Sequence, residues 1–290
     1  MEKQHIIFED LGIINYKAAW DYQEKLVKKN LEIKSEARRA AEDEQSAISI
    51  QHSAISIQQS ASSNKQSAFS NQQSGKKNSR LDLNNELTED FSFTSSGKKE
   101  LSTSHHLLFC EHPPVYTLGK SGHIENVLLS EHEMEEKEIE FFRTNRGGDI
   151  TFHGLQQVVG YPILDLEKFT TDIGEYLHRL EEVIIVTIAD YGIKGDRSKG
   201  ETGVWIEPGN PGRERKICAM GIRCSRWITM HGFALNVNTD LSYFDNIIPC
   251  GIVNKQVTSI EKELGYKVNF EEVKEKLKRN FEVVFNASLS

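Results

Sequence analysis

Two residues of this chain have the chemistry of a nucleophile and its partner. Lys216 opens an alternating run that extends to Ile222, and Cys250 lies between a proline and a glycine. A thiol attacks a carbonyl efficiently only as the thiolate, and a free cysteine has a pKa of about 8.5. A nearby ammonium group stabilises the thiolate and can exchange protons with the reacting groups. The pair therefore predicts acyl transfer, provided that the two side chains meet in space.

The other cysteines are predicted to be structural. Cys218 and Cys224 share the parity of Lys216, so strict alternation places all three on one face of a strand. There they would act as small core residues, desolvate Lys216 and favour its neutral form. The proline and glycine around Cys250 predict a turn, in which a thiol can be exposed. Four cysteines at scattered spacings do not indicate a disulfide framework.

A second block of residues is suited to binding a ligand. Two adjacent glycines let the backbone approach a ligand closely, and their N–H groups, with a neighbouring arginine, can hold an oxyanion, carboxylate or phosphate. A tight turn before a strand explains the same residues equally well. No Gly-Lys-Ser/Thr follows, so a phosphate loop is excluded. The block consists of Arg146, Gly147, Gly148, Asp149, Ile150, Thr151, Phe152 and His153.

Histidines are the candidates for a general base and for metal binding. His153 and His231 each adjoin a glycine, and either of them can pair with a cysteine as its base or play a structural part. A further group lacks the paired spacing of zinc ligands, so we expect no metal. That group is His105, His106, Cys110 and His112.

The elements that must position these residues alternate between strands and helices. Apolar periodicity predicts a helix over about 172–189 and another from about 269, with Asn15 capping a helix near the N-terminus. Thr258 or Ser259 can cap a short helix that ends at Gly265. The fold class is therefore α/β (α+β), with a mixed central sheet flanked by helices. The predicted strands are 6–8, 107–110, 115–118, 150–152, 203–206, 216–222 and 233–237.

One stretch departs from this pattern. From Gln45 the chain repeats in sevens, but the apolar positions crowd together and the later copies lose their isoleucines. Ser- and Gln-rich tracts bury too little apolar area to offset chain entropy. We expect 1–290 to be one catalytic domain interrupted by a disordered, chemically inert insertion at about 35–104. A binding or self-associating segment is the alternative.

Composition narrows the class of protein. A net charge of −8 argues against binding to nucleic acid or to a membrane surface. No run approaches 18 apolar residues, and the N-terminus lacks the apolar core of a signal peptide. A cytoplasmic protein is expected.

Taken together, the blocks resemble the lipoyl(octanoyl) transferase family. The resemblance spans about 6–34 and 107–268 and leaves out the insertion. The blocks that carry it, in chain order, are 111–119 (EHPPVYTLG), Arg146 to Gly154, 159–166 (VGYPILDL), 203–205 (GVW), Lys216 to Gly221, His231 to Asn236, 249–251 (PCG) and 257–259 (VTS).

The resemblance implies a fold similar to biotin and lipoate protein ligase catalytic domains, and a two-step reaction. Cys250 would take the octanoyl group from octanoyl-acyl carrier protein as a thioester. A lysine of an apo lipoyl domain would then receive it, in 2-oxoacid dehydrogenase E2 subunits and the glycine cleavage H protein. Lys216 would lower the pKa of Cys250 and act as general acid/base, without metal or other cofactor. The implied substrate-binding residues are the Arg146–His153 block together with Ala219, Met220, Gly221, Gly232, Phe233 and Ala234.

Three other readings stay open at this point. An ATP-dependent lipoate or biotin ligase shares the implied fold, but it needs no nucleophilic cysteine. A protein that only binds lipoyl domains or acyl chains would form no acyl adduct, and a thioesterase would release free octanoate. A cluster of arginines near Lys216 is either a docking patch for an acidic partner or solvated charge; it comprises Arg213, Arg215, Arg223 and Arg226.

Overall fold

The structure, a computed structural model, describes residues 3–70, 102–248 and 256–290, with side chains described outside 53–70. Cys250, the predicted nucleophile, lies outside the described residues. The chain divides into two compact units, Met1–Leu31 with Thr103–Ser290 and, separately, Glu32–Ser102.

The first unit is built on a mixed sheet to which nine strands of the described chain contribute. Its order is β12-β1-β2-β6-β10-β9-β8-β7, and β11 pairs with β9. The β1–β12, β1–β2 and β11–β9 pairs are parallel, and the others are antiparallel. The strands are β1 (Gln4–Ile13), β2 (His105–Glu111), β6 (Gln157–Ile163), β7 (Gly195–Ser198), β8 (Glu201–Ile206), β9 (Arg215–Ser225), β10 (Ile228–Asn236), β11 (Gln256–Val257) and β12 (Ala287–Leu289).

A smaller three-stranded sheet carries the second block of candidate residues. It has the order β4-β3-β5, with β3 (Val115–Leu118) parallel to β4 (Glu140–Arg143) and antiparallel to β5 (Ile150–His153). Tyr116 and Phe152 from this sheet pack with Phe244 in a core of their own. The strand β5 therefore follows directly after the Arg146–Asp149 loop.

Five helices of the described chain complete the fold, and their caps follow the sequence. Asp172, Ser259 and Asn269 each accept a backbone N–H at the start of a helix, and Gly265 ends one with a φ of +82°. The helices predicted over about 172–189 and from about 269 are thus confirmed, as are the cap at Ser259 and the helix end at Gly265. The helices are α1 (Tyr16–Ser70), α2 (Glu131–Glu136), α3 (Ile173–Ala189), α4 (Ile260–Leu264) and α5 (Phe270–Phe285).

The central strands are buried on both faces, which explains their unbroken apolar runs. In β2, Leu107 and Phe109 pack towards α3 and α5, whereas Leu108 and Cys110 pack with the first turns of α1. The same alternation separates Phe233 from Ala234 in β10. The predicted fold class, a mixed sheet flanked by helices, is confirmed.

The helix α1 covers the first part of the insertion expected at about 35–104, because the chain is helical as far as Ser70. The expectation of a disordered, inert insertion stays a prediction. Residues 16–70 contain no glycine or proline, and the stretch after Leu31 is rich in residues with high helix propensity. One pair on this stretch, Arg38 with Glu42 at 2.8 Å, has the helical i,i+4 spacing. Residues 71–101 of the expected insertion lie outside the described residues. None of the described helices is long and apolar enough to cross a membrane.

Candidate active site

A cavity of about 580 Å³ lies in the first unit, beside β9 and β10. Its wall contains one titratable lysine, Lys216, among the described lining residues, together with apolar side chains such as Val159 and Met220. Most of the predicted site residues line it. They are Arg146, Gly147, Gly148, Asp149, Ile150, Thr151, His153, Ala219, Met220, Gly221, Gly232, Phe233 and Ala234.

Lys216 faces the cavity because β9 has an irregularity next to it. Trp205 pairs with Lys216 and Val204 pairs with Cys218, so Ile217 is an extra residue in β9. Ile217 and Cys218 both pack into the core on the side of α3 and α5. Lys216 lies on the opposite face, with its Nζ 4.6 Å from the centre of the Trp205 ring. The expectation that Cys218 shares the face of Lys216 is therefore wrong, since the extra residue interrupts the alternation.

The described cysteines are poor nucleophiles. Burial raises the pKa of the Cys110 thiol and of the Cys218 thiol well above the ordinary value. Cys224 is half-buried and packs against the core. These thiols are structural, as the sequence predicts.

The loop that starts at Arg146 crosses β9 at close range. Gly147 donates its N–H to the carbonyl of Ile222 at 2.9 Å, and Gly148 has a φ of +86°. A Cβ atom on Gly221 would lie 2.7 Å from the Gly147 carbonyl oxygen. The glycines at 147, 148 and 221 therefore allow two backbones to meet at the cavity wall.

Arg146 is engaged inside the protein. Its guanidinium donates to the carbonyl of Thr117 at 2.5 Å, to the Thr117 hydroxyl at 3.0 Å and to the carbonyl of Gly147 at 3.0 Å. The N–H of Gly147 is also used, by Ile222. Arg146 thus lies in the cavity wall with its guanidinium bonded to the protein, and the Gly147 N–H is used by a backbone carbonyl. The expected role of Arg146 in substrate binding stays a prediction.

Phe152 is the member of the block that the structure places elsewhere. Ile150, Thr151 and His153 line the cavity, whereas Phe152 is not among the described lining residues. Phe152 stacks on Tyr243 with 4.6 Å between ring centres, inside the core of the small sheet. The structure thus places Phe152 in a packed core, and its predicted role in substrate binding stays a prediction.

His153 is buried and both of its ring nitrogens have partners. Nδ1 lies 2.9 Å from Oε1 of Gln157, and Nε2 lies 3.4 Å from the Thr117 hydroxyl. Since the amide oxygen can only accept, Nδ1 carries the proton. Burial, with Arg146 and two other histidines nearby, holds the pKa of His153 well below its ordinary value.

His231 has a different set of hydrogen-bond partners. Its Nε2 donates to Oδ1 of Asn145 at 2.8 Å, while the Asn145 amide donates to Glu24 at 3.3 Å. The backbone N–H of His231 donates to Gln23 at 3.0 Å, in a left-handed conformation with a φ of +61°. Burial, and then the charge of Arg146, lowers the pKa of His231 to about 3.

Several polar lining residues escaped the sequence analysis. Tyr16 opens α1, Tyr161 and Gln157 come from β6, and Asn236 ends β10. Gln157 begins β6 and Asn236 ends β10, two strands that are buried along their whole length. A polar residue in a buried strand needs a buried hydrogen-bond partner, so these two residues could have been predicted from the sequence to form such bonds.

The arginines near Lys216 do not form a free basic patch. Arg215 pairs with Glu263 and Glu207, each at 2.6 Å, and Arg223 pairs with Glu24 at 2.9 Å. Arg213 also lies 3.1 Å from Glu207. Three of the four arginines are therefore paired with carboxylates of the protein, whereas Arg226 is exposed, and the docking-patch hypothesis stays a prediction.

Comparison with known proteins places the chain in a family. A family model of the lipoyl protein ligase A/B catalytic domain matches residues 83–282. An octanoyltransferase from Christiangramia forsetii is 47% identical over 281 residues, covering 97% of this chain and 95% of that protein. One from Flavobacterium johnsoniae is 61% identical over 191 residues, covering 66% and 82%.

Solved structures support the same fold. The lipoate protein ligase of the bipartite archaeal lipoylation system of Thermoplasma acidophilum has a TM-score of 0.53 at 17% identity, covering 64% of this chain and 73% of that one. Lipoate-protein ligase A bound with ATP has a TM-score of 0.53 at 15% identity, covering 64% and 75%. At such identities the likeness concerns the fold alone.

The ligase-type sheet, with a lysine facing a partly apolar cavity, defines a catalytic domain suited to acyl-group chemistry. The chain belongs to the lipoyl(octanoyl) transferase family, whose members are named octanoyltransferases, and it is an acyltransferase.

Proposed function

We propose that this protein moves an octanoyl group from octanoyl-acyl carrier protein to a lysine of apo lipoyl domains through a thioester on Cys250. The thiolate of Cys250 attacks the carbonyl carbon of the donor thioester, and the carrier thiol leaves with a proton. The neutral amine of the acceptor lysine then attacks the Cys250 thioester, an amide forms as the nitrogen gives its extra proton back to neutral Lys216, and the Cys250 thiolate is released. Exchange between thioesters is nearly isoenergetic and amide formation is downhill, so the sequence of steps needs no ATP.

The position of Lys216 is the observation that carries this proposal. It lines the cavity together with the predicted substrate-binding segments, and its Nζ lies 4.6 Å from the centre of the buried Trp205 ring. An ammonium there would stabilise the Cys250 thiolate and return a proton to the leaving thiol. The described chain ends at Ile248, two residues before Cys250, and resumes at Gln256, which pairs with Arg215 next to Lys216.

The cavity suits a medium-length acyl chain. Val159, Phe233 and Met220 give part of its wall an apolar character. At about 0.8 kcal/mol for each buried methylene, an octanoyl chain would gain several kcal/mol of binding free energy. The donor and acceptor proteins proposed are octanoyl-acyl carrier protein and the lipoyl domains of 2-oxoacid dehydrogenase E2 subunits and of the glycine cleavage H protein.

The decisive experiment omits ATP. The protein is incubated with octanoyl-acyl carrier protein and an apo lipoyl domain, and both proteins are followed by intact mass. We expect an octanoylated lipoyl domain, and without the acceptor an octanoyl adduct that Cys250→Ala abolishes. Lys216→Met should slow adduct formation by at least about 100-fold, because both thiolate stabilisation and proton transfer are lost. Transfer that requires ATP, or an adduct that persists in Cys250→Ala, contradicts the proposal.

The segment 35–104 is proposed to contribute no group to the reaction. Every described lining residue of the cavity belongs to the first unit. The two parts of the chain that form this unit meet at Asn30. Its buried amide donates to the Ser104 carbonyl at 2.8 Å and accepts the Ser104 N–H at 3.0 Å. Replacing residues 35–101 by a short glycine-serine linker should leave the transfer rate unchanged within about twofold, and a much larger loss would assign the segment a role.

A further inference from the structure

A line of buried polar side chains runs through the cavity wall. It begins where the Arg146 guanidinium donates to Thr117, and it consists of Thr117, His153, Gln157, Asn236 and Thr258. We call these five residues the buried string. Gln157, Asn236 and Thr258 are at most 4% exposed.

The string has one direction, since each member donates to the next. The Thr117 hydroxyl donates to Nε2 of His153 at 3.4 Å, and Nδ1 of His153 donates to Gln157 at 2.9 Å. The Gln157 amide donates to Oδ1 of Asn236 at 2.8 Å, and the Asn236 amide donates to the Thr258 carbonyl at 3.0 Å. Consecutive bonds of this kind polarise one another in a low-dielectric interior, so the fully satisfied string is rigid.

The buried string ends near Lys216, at the point where β11 takes over from β10 as the strand paired with β9. The pairing of β10 with β9 ends at Leu235 and Cys218, and beyond it β11 pairs with β9 through Val257 and Lys216. The N–H of Thr258 donates to the Lys216 carbonyl at 2.9 Å. The amide of Asn236, at the end of β10, therefore connects β10 to the residue that follows β11.

We propose that Asn236, supported by Gln157, is a positioning residue of the acyl transfer. Its amide holds the Thr258 carbonyl, and this fixes β11 against Lys216. Because β11 lies directly against Lys216, the same amide sets the position of Lys216 in the cavity wall. The proposal rests on the proposed roles of Lys216 and Cys250, and Asn236 itself transfers no proton or acyl group.

The test uses the full chain with Asn236→Leu, which keeps the size of the side chain and removes its hydrogen bonds. Displacement of Lys216 from Cys250 should lower the turnover number for octanoyl transfer about 100-fold. It should also raise the pH midpoint of Cys250 alkylation by iodoacetamide, read by peptide mass, towards about 8.5, because the thiolate loses its ammonium neighbour.

Asn280→Leu is the matched control. The buried amide of Asn280 donates to the Thr187 hydroxyl at 3.0 Å, between α5 and α3 and outside the cavity. This variant should lose a similar thermal stability and keep the wild-type turnover and alkylation midpoint. A midpoint shift of equal size in Asn280→Leu overturns the proposal.

A wild-type alkylation midpoint in Asn236→Leu also overturns the proposal, whatever happens to the rate, because lost stability alone can slow turnover. If Asn236→Leu does not fold, Gln157→Met removes the preceding bond and should shift the midpoint in the same direction by less; no shift overturns the proposal. The alkylation midpoint needs no octanoyl group. Failure of the proposed function, seen as no octanoyl adduct on wild-type Cys250, is therefore distinguishable from failure of the positioning role.

Discussion

The two histidines of the cavity wall are alike in sequence and different in structure. Each adjoins a glycine, each lines the cavity, and burial lowers the pKa of both. His153 has both ring nitrogens in hydrogen bonds and belongs to the buried string. His231 uses Nε2 on Asn145, while its Nδ1 has no hydrogen-bond partner among the described residues.

The difference shows that neither histidine is a ready general base near neutral pH. A proton accepted by His153 would displace the bond from Thr117, and the pKa of His231, near 3, gives it little proton affinity at pH 7. In the proposed reaction, proton exchange at the Cys250 thiol is therefore assigned to Lys216, and the two histidines have different hydrogen-bond partners in the cavity wall. Substitutions at Gly221, at His231 and at Thr117 test this difference between the two histidines.

The largest effect is expected from Gly221→Ala, because Gly221 lies under the Arg146 loop between the two histidine regions. The added methyl group would be 2.7 Å from the Gly147 carbonyl oxygen and 3.2 Å from Cδ of Arg146. The loop must move away, and Arg146 with it, so octanoyl transfer should fall about 100-fold in a steady-state assay.

Gly147→Ala is the comparison variant, because Gly147 lies on the loop side of the contact between the Arg146 loop and β9. Its methyl group would lie 3.4 Å from the Ile222 carbonyl oxygen, an ordinary distance. The loss of rate should therefore be clearly smaller than for Gly221→Ala. Equal losses in the two variants would mean that close packing of the loop on β9 is not what the site requires.

An effect of intermediate size is expected on the His231 side, in the pH dependence of stability. With a pKa near 3 in the folded state and about 6.5 when unfolded, the imidazole binds a proton more readily in the unfolded chain. The contribution of His231 to the free energy of unfolding is therefore fully present above pH 6.5 and is lost as the pH falls. Between pH 7 and pH 5 the loss amounts to about 2 kcal/mol in the free energy of unfolding.

Urea unfolding of His231→Asn at the two pH values measures this contribution. Asparagine tolerates the left-handed backbone at this position, so the variant removes the titration with little added strain. Its stability should fall less between pH 7 and pH 5 than that of the wild type, whereas His132→Asn, at an exposed histidine, should keep the wild-type dependence. Identical dependence in His231→Asn and the wild type would contradict the assigned burial of His231.

How much could be foreseen from sequence depended on whether a signal was local. The strand around Phe233 and the helix capped by Asn269 follow from periodicity and capping, and the structure has both. The extra residue at Ile217, which turns Lys216 towards the cavity, follows from pairing with Trp205 and leaves no trace in the alternating run. The role of Asn236 depends on Gln157 and Thr258, which lie far away in the chain, so its partners could not be read from spacing.

The smallest effect is expected at the weakest bond of the buried string, the 3.4 Å contact between Thr117 and His153. Thr117→Val keeps the shape of the side chain and removes the hydroxyl, yet Arg146 keeps the Thr117 carbonyl and His153 keeps Gln157. The free energy of unfolding should fall by about 1 kcal/mol, and the transfer rate should stay within about threefold of the wild type. Thr117→Ser, which retains the hydroxyl, should keep the wild-type rate more closely. If Thr117→Val instead slowed transfer as much as Asn236→Leu, the importance of the string would lie at His153 and not where β11 meets Lys216.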